Sequence, residues 1–247
     1  MKVITSRENP EIKHIIELQS TKGRKEHKQF VAEGTRVCQT LVENGFELDM
    51  LYITDDRFDD LKRVIKTPHI TLVNEFVMNK ISTAHTPSGF LAVFNMPKNQ
   101  TKALSAGIVL ARIADPGNMG TLIRTAAAMG VKTVVCVEST DPWSPKVIQA
   151  SAGTIANMTV FEMSWQELLK RKNDLPLCGL VLDSAKKPED TSNKNCLLVI
   201  GSEAHGIPTE WIAQCDELIT IPMPGNTESL NAGVAGSIAL YVLFSNK

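Results

Sequence analysis

Residues 107–130 read GIVLARIADPGNMGTLIRTAAAMG and contain, in order, an apolar run, a polar loop and a helix-like segment. The run GIVLARIA is almost continuously apolar, which is typical of a strand buried on both faces in a parallel sheet. In the loop, Gly117 and Gly120 permit a tight turn from strand to helix, and Asn118 is a candidate N-cap for the helix that carries Arg124. A strand, a loop and a helix in this order indicate an α/β fold.

The same unit recurs through the rest of the second half. Four further apolar runs predict strands separated by helix-like segments: VKTVVCVE (131–138), LCGLVLD (177–183), CLLVIGSE (196–203) and DELITIP (216–222). Ser164 and Glu167 form a capping-box pattern that predicts a helix start before the second of these four runs. The chain ends in SLNAGVAGSIALYVLF (229–244), which predicts a long helix rich in small residues. This alternation predicts a parallel sheet covered by helices on both faces.

The first half predicts a smaller α/β domain. Asn9 and Pro10 are typical of the N-cap and first residue of a helix, and a further helix is expected from about Thr35 to Glu43. Predicted strands are FVAE, LDMLYIT, HITLV and GFLAVFN, with helix-like LKRVIK and NEFVMNKIS between them. The polar stretch MPKNQTKALSA contains a proline and lies between two apolar strands, as expected of a linker. We therefore predict a domain at 1–97, a linker at 98–105 and a second domain at 106–247.

Composition excludes several protein classes. The chain has 247 residues, 43% of them apolar and 21% charged, so it can bury a core and is neither disordered nor a coiled coil. Its start is charged and no apolar run is long enough to cross a bilayer, so we expect a cytoplasmic protein. The five cysteines are scattered without metal-binding spacing and are expected to be reduced, buried thiols.

Charge is nearly balanced overall, at −1, but the first 40 residues carry a weak basic excess. The basic residues that we single out as candidate phosphate contacts are Lys22, Arg24, Lys25, Lys28 and Arg36.

Ligands of open α/β sheets bind at the carboxyl ends of the strands, so the polar loops after the apolar runs are candidate sites. The second such loop, GSEAHGIP, lacks the lysine and hydroxyl residue of a phosphate-binding loop, and no G-x-G-x-x-G follows any strand. Each loop alone fits ordinary helix capping, with Arg124, Glu203 and His205 merely exposed. In the third loop, Ser229 and Asn231 suit either capping or ligand binding. Three such loops at one edge predict a pocket for a polar small molecule such as a nucleoside.

The three loops together resemble the motifs of the SpoU (TrmH-type) RNA ribose 2'-O-methyltransferases, within the SPOUT superfamily. Asn118, Gly120 and Arg124 fit N-x-G-x-x-x-R, and Gly201, Glu203 and Gly206 fit G-x-E-x-x-G. The third motif is matched by Ile221, Pro222 and Met223, followed by Ser229, Leu230 and Asn231. Ala232 and Gly233 depart from the family pattern, in which valine and a small residue are more usual. The resemblance covers essentially all of 106–247.

The resemblance implies a fold, a second domain and an assembly. The C-terminal domain would be a parallel-sheet α/β knot, in which the chain end threads a loop to form a trefoil knot. The first 95 residues are similar to the ribosomal-protein-like RNA-binding domain of rRNA-modifying members, through SRENPEIK and KEHKQFVAEGTR. A homodimer with the active site near the subunit interface is also implied.

The resemblance further implies transfer of a methyl group from S-adenosylmethionine to a ribose 2'-hydroxyl, with no metal needed. The cofactor-binding residues would be Gly201, Ile221 and Leu230, supported by Met223 and Ser229, with Asn231 beside them. Asn118, Arg124, Glu203, Ser229 and Asn231 would be catalytic. The family's mechanism assigns activation of the hydroxyl to Arg124, yet a guanidinium is a poor base, so Arg124 binding the adjacent phosphate is an open alternative. Asn118 would orient the ribose or Arg124, and Glu203 would pair with Arg124 or shape its loop.

RNA is expected rather than DNA, because only RNA has the 2'-hydroxyl. The separate N-terminal domain favours large-subunit rRNA over tRNA. A tRNA ribose methyltransferase is the alternative enzyme, and a non-catalytic RNA-binding or ribosome-assembly factor is the alternative from another class. A nucleotide-binding oxidoreductase is disfavoured by the missing glycine fingerprint.

Overall fold

The structure is a computed structural model that describes residues 1–60, 69–98, 102–183, 185–191, 195–225 and 228–245. The predicted helix LKRVIK lies outside these ranges. Backbone contacts divide the chain into two compact units. The first unit comprises Met1–Lys98 with Trp143–Ala156, and the second comprises Asn99–Pro142 with Asn157–Lys247. Among the described residues, no helix has the length and apolar character to cross a bilayer.

The first 98 residues contain five strands and four helices in the described ranges. The strands are β1 Lys2–Ile4, β2 Gln29–Glu33, β3 Leu48–Ile53, β4 Ile70–Val73 and β5 Phe90–Asn95. The helices are α1 Pro10–Leu18, α2 Thr21–His27, α3 Thr35–Glu43 and α4 Glu75–Ile81. The sheet has the order β1-β4-β3-β5-β2, and β5 runs antiparallel to both of its neighbours.

Helix α1 shows how the sequence produces this unit. The Asn9 side chain accepts a hydrogen bond from the Glu11 N–H at 2.9 Å, and Pro10 is the first helical residue. The side chains of Ile12, Ile15 and Leu18 recur at three-residue spacing and are fully buried against the sheet. The predicted helix start at Asn9 and Pro10 is confirmed.

The rest of the chain contains six strands and five helices in the described ranges. The strands are β6 Gly107–Ala111, β7 Thr133–Val137, β8 Thr159–Glu162, β9 Leu177–Leu180, β10 Leu197–Gly201 and β11 Glu217–Ile219. The helices are α5 Pro116–Ala128, α6 Pro145–Ala150, α7 Trp165–Arg171, α8 Thr209–Ile212 and α9 Ala232–Phe244. Of these, α6 belongs to the first unit. There Trp143, just before α6, packs against Phe30 of β2 with ring centroids 5.1 Å apart.

The second unit contains a six-stranded sheet in the order β11-β9-β10-β6-β7-β8, with every pairing parallel. All five residues of β6 are buried in the middle of this sheet, as the continuous apolar run predicts. On one face, the rings of Trp165 and Trp211 stack with centroids 4.7 Å apart within the core. The α/β prediction is therefore confirmed.

Five local features differ from the sequence predictions. Strands β1 and β8 and helix α2 were not predicted. The N-cap of α5 is Asp115, whose carboxylate accepts from the Asn118 N–H at 2.8 Å, so the prediction that Asn118 caps this helix is wrong. Asp115 is the N-cap because it immediately precedes Pro116, the first helical residue, whose backbone nitrogen has no hydrogen to donate. The last helix begins at Ala232 rather than Ser229, because Asn231 is its N-cap. The trefoil knot stays a prediction.

Candidate functional site

A cavity of about 500 Å³ lies at the carboxyl ends of β9, β10 and β11. Small-molecule sites commonly enclose roughly 300 to 1,000 Å³, so this cavity has the size of a cofactor site. The third polar loop closes it with Ile221, Met223, Ser229 and Leu230. The lining combines apolar residues such as Ile200 with polar and charged loop residues such as Ser202 and Glu203.

The loop after β10 is a tight turn that depends on two glycines. The Ser202 N–H donates to the Gly206 carbonyl at 3.1 Å, and the Gly206 N–H donates to the Ser202 carbonyl at 2.9 Å. Gly206 has a φ of +65°, which favours glycine. A Cβ on Gly201 would overlap the carbonyl carbon of Gly206, so the two chain segments approach more closely than any side chain allows. This contact explains why glycines occur at both positions of the second motif.

A hydrogen bond joins the first and second loops. The Asn118 Nδ2 donates to the Glu203 Oε1 at 2.5 Å, and Glu203 lines the cavity. Glu203 therefore bonds to the first loop, and no bond from Glu203 to Arg124 occurs among the described residues; its role stays a prediction. Arg124 is exposed on α5, and its guanidinium makes no hydrogen bond or ion pair within the part of the chain that the structure describes.

The last helix positions the first motif through small residues. A Cβ on Gly233 would lie 2.9 Å from the Asn118 Oδ1, so only glycine lets α9 approach this asparagine without displacing it. The Thr125 and Ser237 hydroxyls are hydrogen-bonded at 3.0 Å between α5 and α9. Gly233 therefore permits the close packing of α9 against Asn118.

The structure brings most of the predicted site residues to one place. Gly201, Glu203 and the four third-loop residues named above line the cavity. Asn231 does not line it but caps α9, its Oδ1 accepting from the Val234 N–H at 3.2 Å. Asn118 reaches the cavity only through Glu203, and Arg124 does not line it.

The loop after β9 also lines the cavity, which the sequence patterns did not predict. Val181 and Leu182 line the cavity, and the Thr220 hydroxyl donates to the Leu182 carbonyl at 2.7 Å. The rule that ligands bind at carboxyl ends of strands applies to β9 as well. The signal was overlooked because this loop is apolar at its start and carries no glycine or asparagine motif.

The basic residues of the first unit differ in accessibility. Lys22, Lys25, Lys28 and Arg36 are exposed. Arg24 is only 2% exposed, and its guanidinium donates to the Leu18 carbonyl at 2.8 Å and to the Thr21 hydroxyl at 3.1 Å. Arg24 therefore ties α2 to the end of α1, and its guanidinium is not presented to a ligand.

The cysteines behave as structural thiols. Four are buried and Cys215 is partly buried, as expected, and no disulfide joins them. Burial raises the pKa of Cys136 far above its ordinary value, and burial likewise raises the pKa of Cys215 to about 12. These two thiols are therefore protonated at neutral pH, so neither is a ready nucleophile.

Comparisons with known proteins agree with this geometry. A model of the SpoU rRNA methylase family matches residues 105–241, and a model of the MRM3-like substrate binding domain matches residues 9–92. An uncharacterized tRNA/rRNA methyltransferase of Synechocystis is 30% identical, with 96% of this chain and 92% of the relative covered.

Two further relatives carry more specific names. The 23S rRNA (guanosine(2553)-2'-O)-methyltransferase RlmP of Bacillus subtilis is 26% identical, covering 98% of this chain and 99% of the relative. The crystal structure of an AdoMet-bound rRNA methyltransferase from Sinorhizobium meliloti superposes with a TM-score of 0.85 at 25% identity, covering 98% of this chain and 97% of that one.

Proposed function

The chain belongs to the SpoU rRNA methylase family, and from this premise we propose that it methylates a ribose 2'-hydroxyl of large-subunit rRNA. It is an RNA ribose methyltransferase, and S-adenosylmethionine is its methyl donor. The observation that carries the proposal is the cavity at the carboxyl ends of β9, β10 and β11. The glycine-dependent turn at 202–206 and apolar residues of the third loop border this cavity. The proposed division of the chain remains an RNA-binding domain at 1–97, a linker at 98–105 and a methyltransferase domain at 106–247.

The cavity residues fit an adenosyl group. A nucleoside offers an apolar base face and a polar rim, and the cavity offers the apolar Ile200 and Leu230 beside the exposed backbone of Ile221. Gly201 supports the fit because its missing Cβ lets the 202–206 turn fold back beside the cavity. When bound, S-adenosylmethionine supplies an electrophilic methyl group on a sulfonium. The proposed role of Met223 and Ser229 is to hold the third loop around it.

Arg124 and Asn118 are proposed to act on the RNA side of the reaction. Arg124 is exposed and carries a fixed positive charge, which suits contact with the target ribose and its adjacent phosphate. A guanidinium deprotonates only at very high pH, so we assign Arg124 to orientation and charge stabilisation rather than to proton removal. Asn118, restrained by Glu203, is proposed to orient the ribose. Positioning of two reactants can contribute about 7–11 kcal/mol to such a reaction.

The exposed lysines of the first unit are proposed to contact RNA phosphates. Lys22, Lys25 and Lys28 lie on or directly after α2, and Arg36 lies in α3. Large-subunit rRNA is favoured over tRNA by the match of 9–92 to a substrate-binding domain and by the 23S rRNA named for the Bacillus relative. With this substrate we propose a cytoplasmic location.

An unpartnered apolar face supports a homodimer. Val234, Ile238 and Tyr241 recur at four- and three-residue spacing on α9 and are 49%, 40% and 61% exposed. A continuous exposed apolar stripe on a helix is typical of an interaction surface, and we propose that the same helix of a second copy covers it. Ile238→Lys is expected to shift the protein from dimer to monomer in sedimentation. Val3→Lys, at an exposed apolar position elsewhere, is the control. A monomeric native protein, or a dimeric Ile238→Lys variant, would contradict this surface.

The activity is tested with methyl-labelled S-adenosylmethionine and total RNA that lacks the modification, resolved by size and digested to nucleosides. We expect label in a single 2'-O-methylated nucleoside from large-subunit rRNA. Label in the tRNA fraction would establish the alternative substrate. Cofactor binding without label in free RNA would require the assay to be repeated on ribosomal particles. Absence of cofactor binding would favour the non-catalytic alternative.

A further inference from the structure

Three side chains of the first unit converge where α1 meets the end of α2. His14 and Glu17 lie one turn apart on α1, and His27 is the last residue of α2. One potential ligand atom from each lies within 4.8 Å of the others. The His27 Nε2 is 3.1 Å from the Glu17 Oε2, and the imidazole rings of His14 and His27 meet edge to face with centroids 4.5 Å apart. Two imidazoles and one carboxylate thus face a common point.

A hydrogen-bond chain fixes the orientation of His14. The Gln29 Nε2 donates to the Asp49 carboxylate at 2.9 Å and to the Asn95 Oδ1 at 3.1 Å, which identifies the amide nitrogen of Gln29. The Gln29 Oε1 is therefore the atom that lies 2.8 Å from the His14 Nε2, and it accepts the proton carried there. In the neutral ring this leaves the electron pair on Nδ1. A histidine that ligates a metal through one ring nitrogen usually donates its other ring N–H to an oxygen acceptor, and the Gln29 amide oxygen can serve as that acceptor.

We propose that His14, Glu17 and His27 bind a divalent transition metal ion, with Zn²⁺ as the best match. Two imidazoles and a carboxylate form a ligand set that zinc accepts, with a fourth position left for water. Zinc bonds to nitrogen and oxygen measure about 2.0–2.2 Å, so the ligand atoms must draw together by about an ångström. Glu17 and His27 can move, because their side chains are 60% and 33% exposed, whereas His14 is held by Gln29.

Binding of the metal ion is expected to link helices α1 and α2. Arg24 already ties α2 to the Leu18 carbonyl at the end of α1, and the metal would add a second tie one turn further along α2. Because the ion binds the folded unit, it raises thermal stability by mass action. The site lies in the first unit and uses no residue of the cofactor cavity, so it stands or falls independently of methyl transfer.

The test is titration of the metal-free full-length protein with Co²⁺ and Zn²⁺. Visible absorption follows Co²⁺, competition with a chromogenic chelator gives the Zn²⁺ affinity, and thermal melts are recorded in parallel. We expect one ion per chain, a cobalt spectrum without thiolate charge-transfer bands, and a Tm rise of about 5–10 °C at a hundredfold excess over Kd. His27→Gln and Glu17→Gln should each weaken Zn²⁺ binding by about tenfold or more while leaving the metal-free melt unchanged.

His85→Gln is the matched control, because His85 is exposed and lies outside the cluster. Its zinc affinity should equal that of the unmodified protein. The proposal is overturned if the unmodified protein binds no stoichiometric metal, if the Glu17 and His27 variants retain full affinity, or if the cobalt spectrum shows thiolate ligation.

Discussion

The two sheets of this protein differ in strand direction and in the size of the cavity that each carries. In the second unit every strand is parallel, so the loops after β9, β10 and β11 meet at one edge around a cavity of about 500 Å³. In the first unit the antiparallel β5 separates β3 from β2, so their carboxyl ends are not adjacent. The cavity beside Thr54 and Gly89 there measures only about 200 Å³, below the roughly 300 Å³ of small cofactor sites.

This contrast assigns different roles to the two units. A parallel sheet gathers loops into a pocket, which suits a compact cofactor. In the mixed sheet only β1, β4 and β3 are parallel neighbours, and the cavity beside the ends of β3 and β4 is the smaller one. The first unit also presents exposed lysines on and beside α2. A surface of this kind suits a long polyanion, whose affinity is dominated by its phosphates. Cofactor binding and RNA binding should therefore be separable by mutation.

The largest expected effect on cofactor binding comes from filling the gap at Gly201. Gly201→Ala places a Cβ on the Gly206 carbonyl carbon and must displace the turn that borders the cavity. Overpacking of this kind costs about 1–3 kcal/mol. We expect S-adenosylmethionine affinity to fall by about tenfold to a hundredfold in calorimetric titration, because each 1.4 kcal/mol corresponds to a factor of ten.

Gly225→Ala is the control for this experiment. No atom lies within 4 Å of a Cβ built at Gly225, so the same chemical change in the third loop meets open space. Its cofactor affinity should match the unmodified protein. Equal affinities for the Gly201 and Gly225 variants would show that the close approach at Gly201 does not shape the cofactor site.

A smaller effect, confined to RNA, is expected from the first unit. Replacing Lys22, Lys25 and Lys28 together by glutamine removes three exposed charges. The slope of log affinity against log salt should become shallower by about 2, with cofactor affinity unchanged. Arg24 is left intact because it is buried and structural. An unchanged salt slope would show that these three lysines do not contact the RNA phosphates.

The smallest effect concerns stability at the opposite edge of the parallel sheet. The Asp216 carboxylate accepts from the Leu177 N–H at 2.8 Å and from the Lys172 ammonium at 3.2 Å. Burial opposes ionisation of Asp216, but these bonds outweigh it and lower its pKa below the ordinary 3.8. Asp216→Asn should lower stability by about 1 kcal/mol at pH 7, or about 2–4 °C in Tm.

The pH dependence of that difference follows from the direction of the shift. A carboxyl whose pKa is lower in the folded state stabilises the protein above its unfolded pKa and loses that contribution as pH falls through its folded pKa. The Tm difference between the unmodified protein and Asp216→Asn should therefore be constant near neutrality and shrink below about pH 4. A difference that grows on acidification would contradict the assigned bonds.

Local patterns in the sequence were sufficient for much of the fold. The apolar runs predicted β6, β7, β9 and β10, because a strand buried on both faces is apolar almost throughout. The run DELITIP also predicted β11, an edge strand that is buried only at Ile219. Strand β8 was missed because it has only four residues, two of them polar or charged. Helix α2 was missed because its buried contact is made by Arg24, whose charge indicates exposure.

The site was predicted as a set of residues rather than as contacts. The third loop and Gly201 were identified by their motifs, and the structure brings them together. The bond between Asn118 and Glu203 spans 85 positions and depends on the pairing of β6 with β10, which no local pattern contains. The cluster of His14, Glu17 and His27 was missed for the same reason, because it forms only where α1 meets α2.

The central claim is that the second unit holds the cofactor in its cavity while Arg124, outside that cavity, acts on the RNA. The most direct test measures S-adenosylmethionine affinity and methyl transfer for Arg124→Ala, with the exposed Lys132→Ala as control. We predict cofactor affinity within about twofold of the unmodified protein and a loss of methyl transfer of about a hundredfold to a thousandfold, as for removal of a group that stabilises developing charge. Equal loss of binding and transfer, or transfer retained without Arg124, would contradict this account.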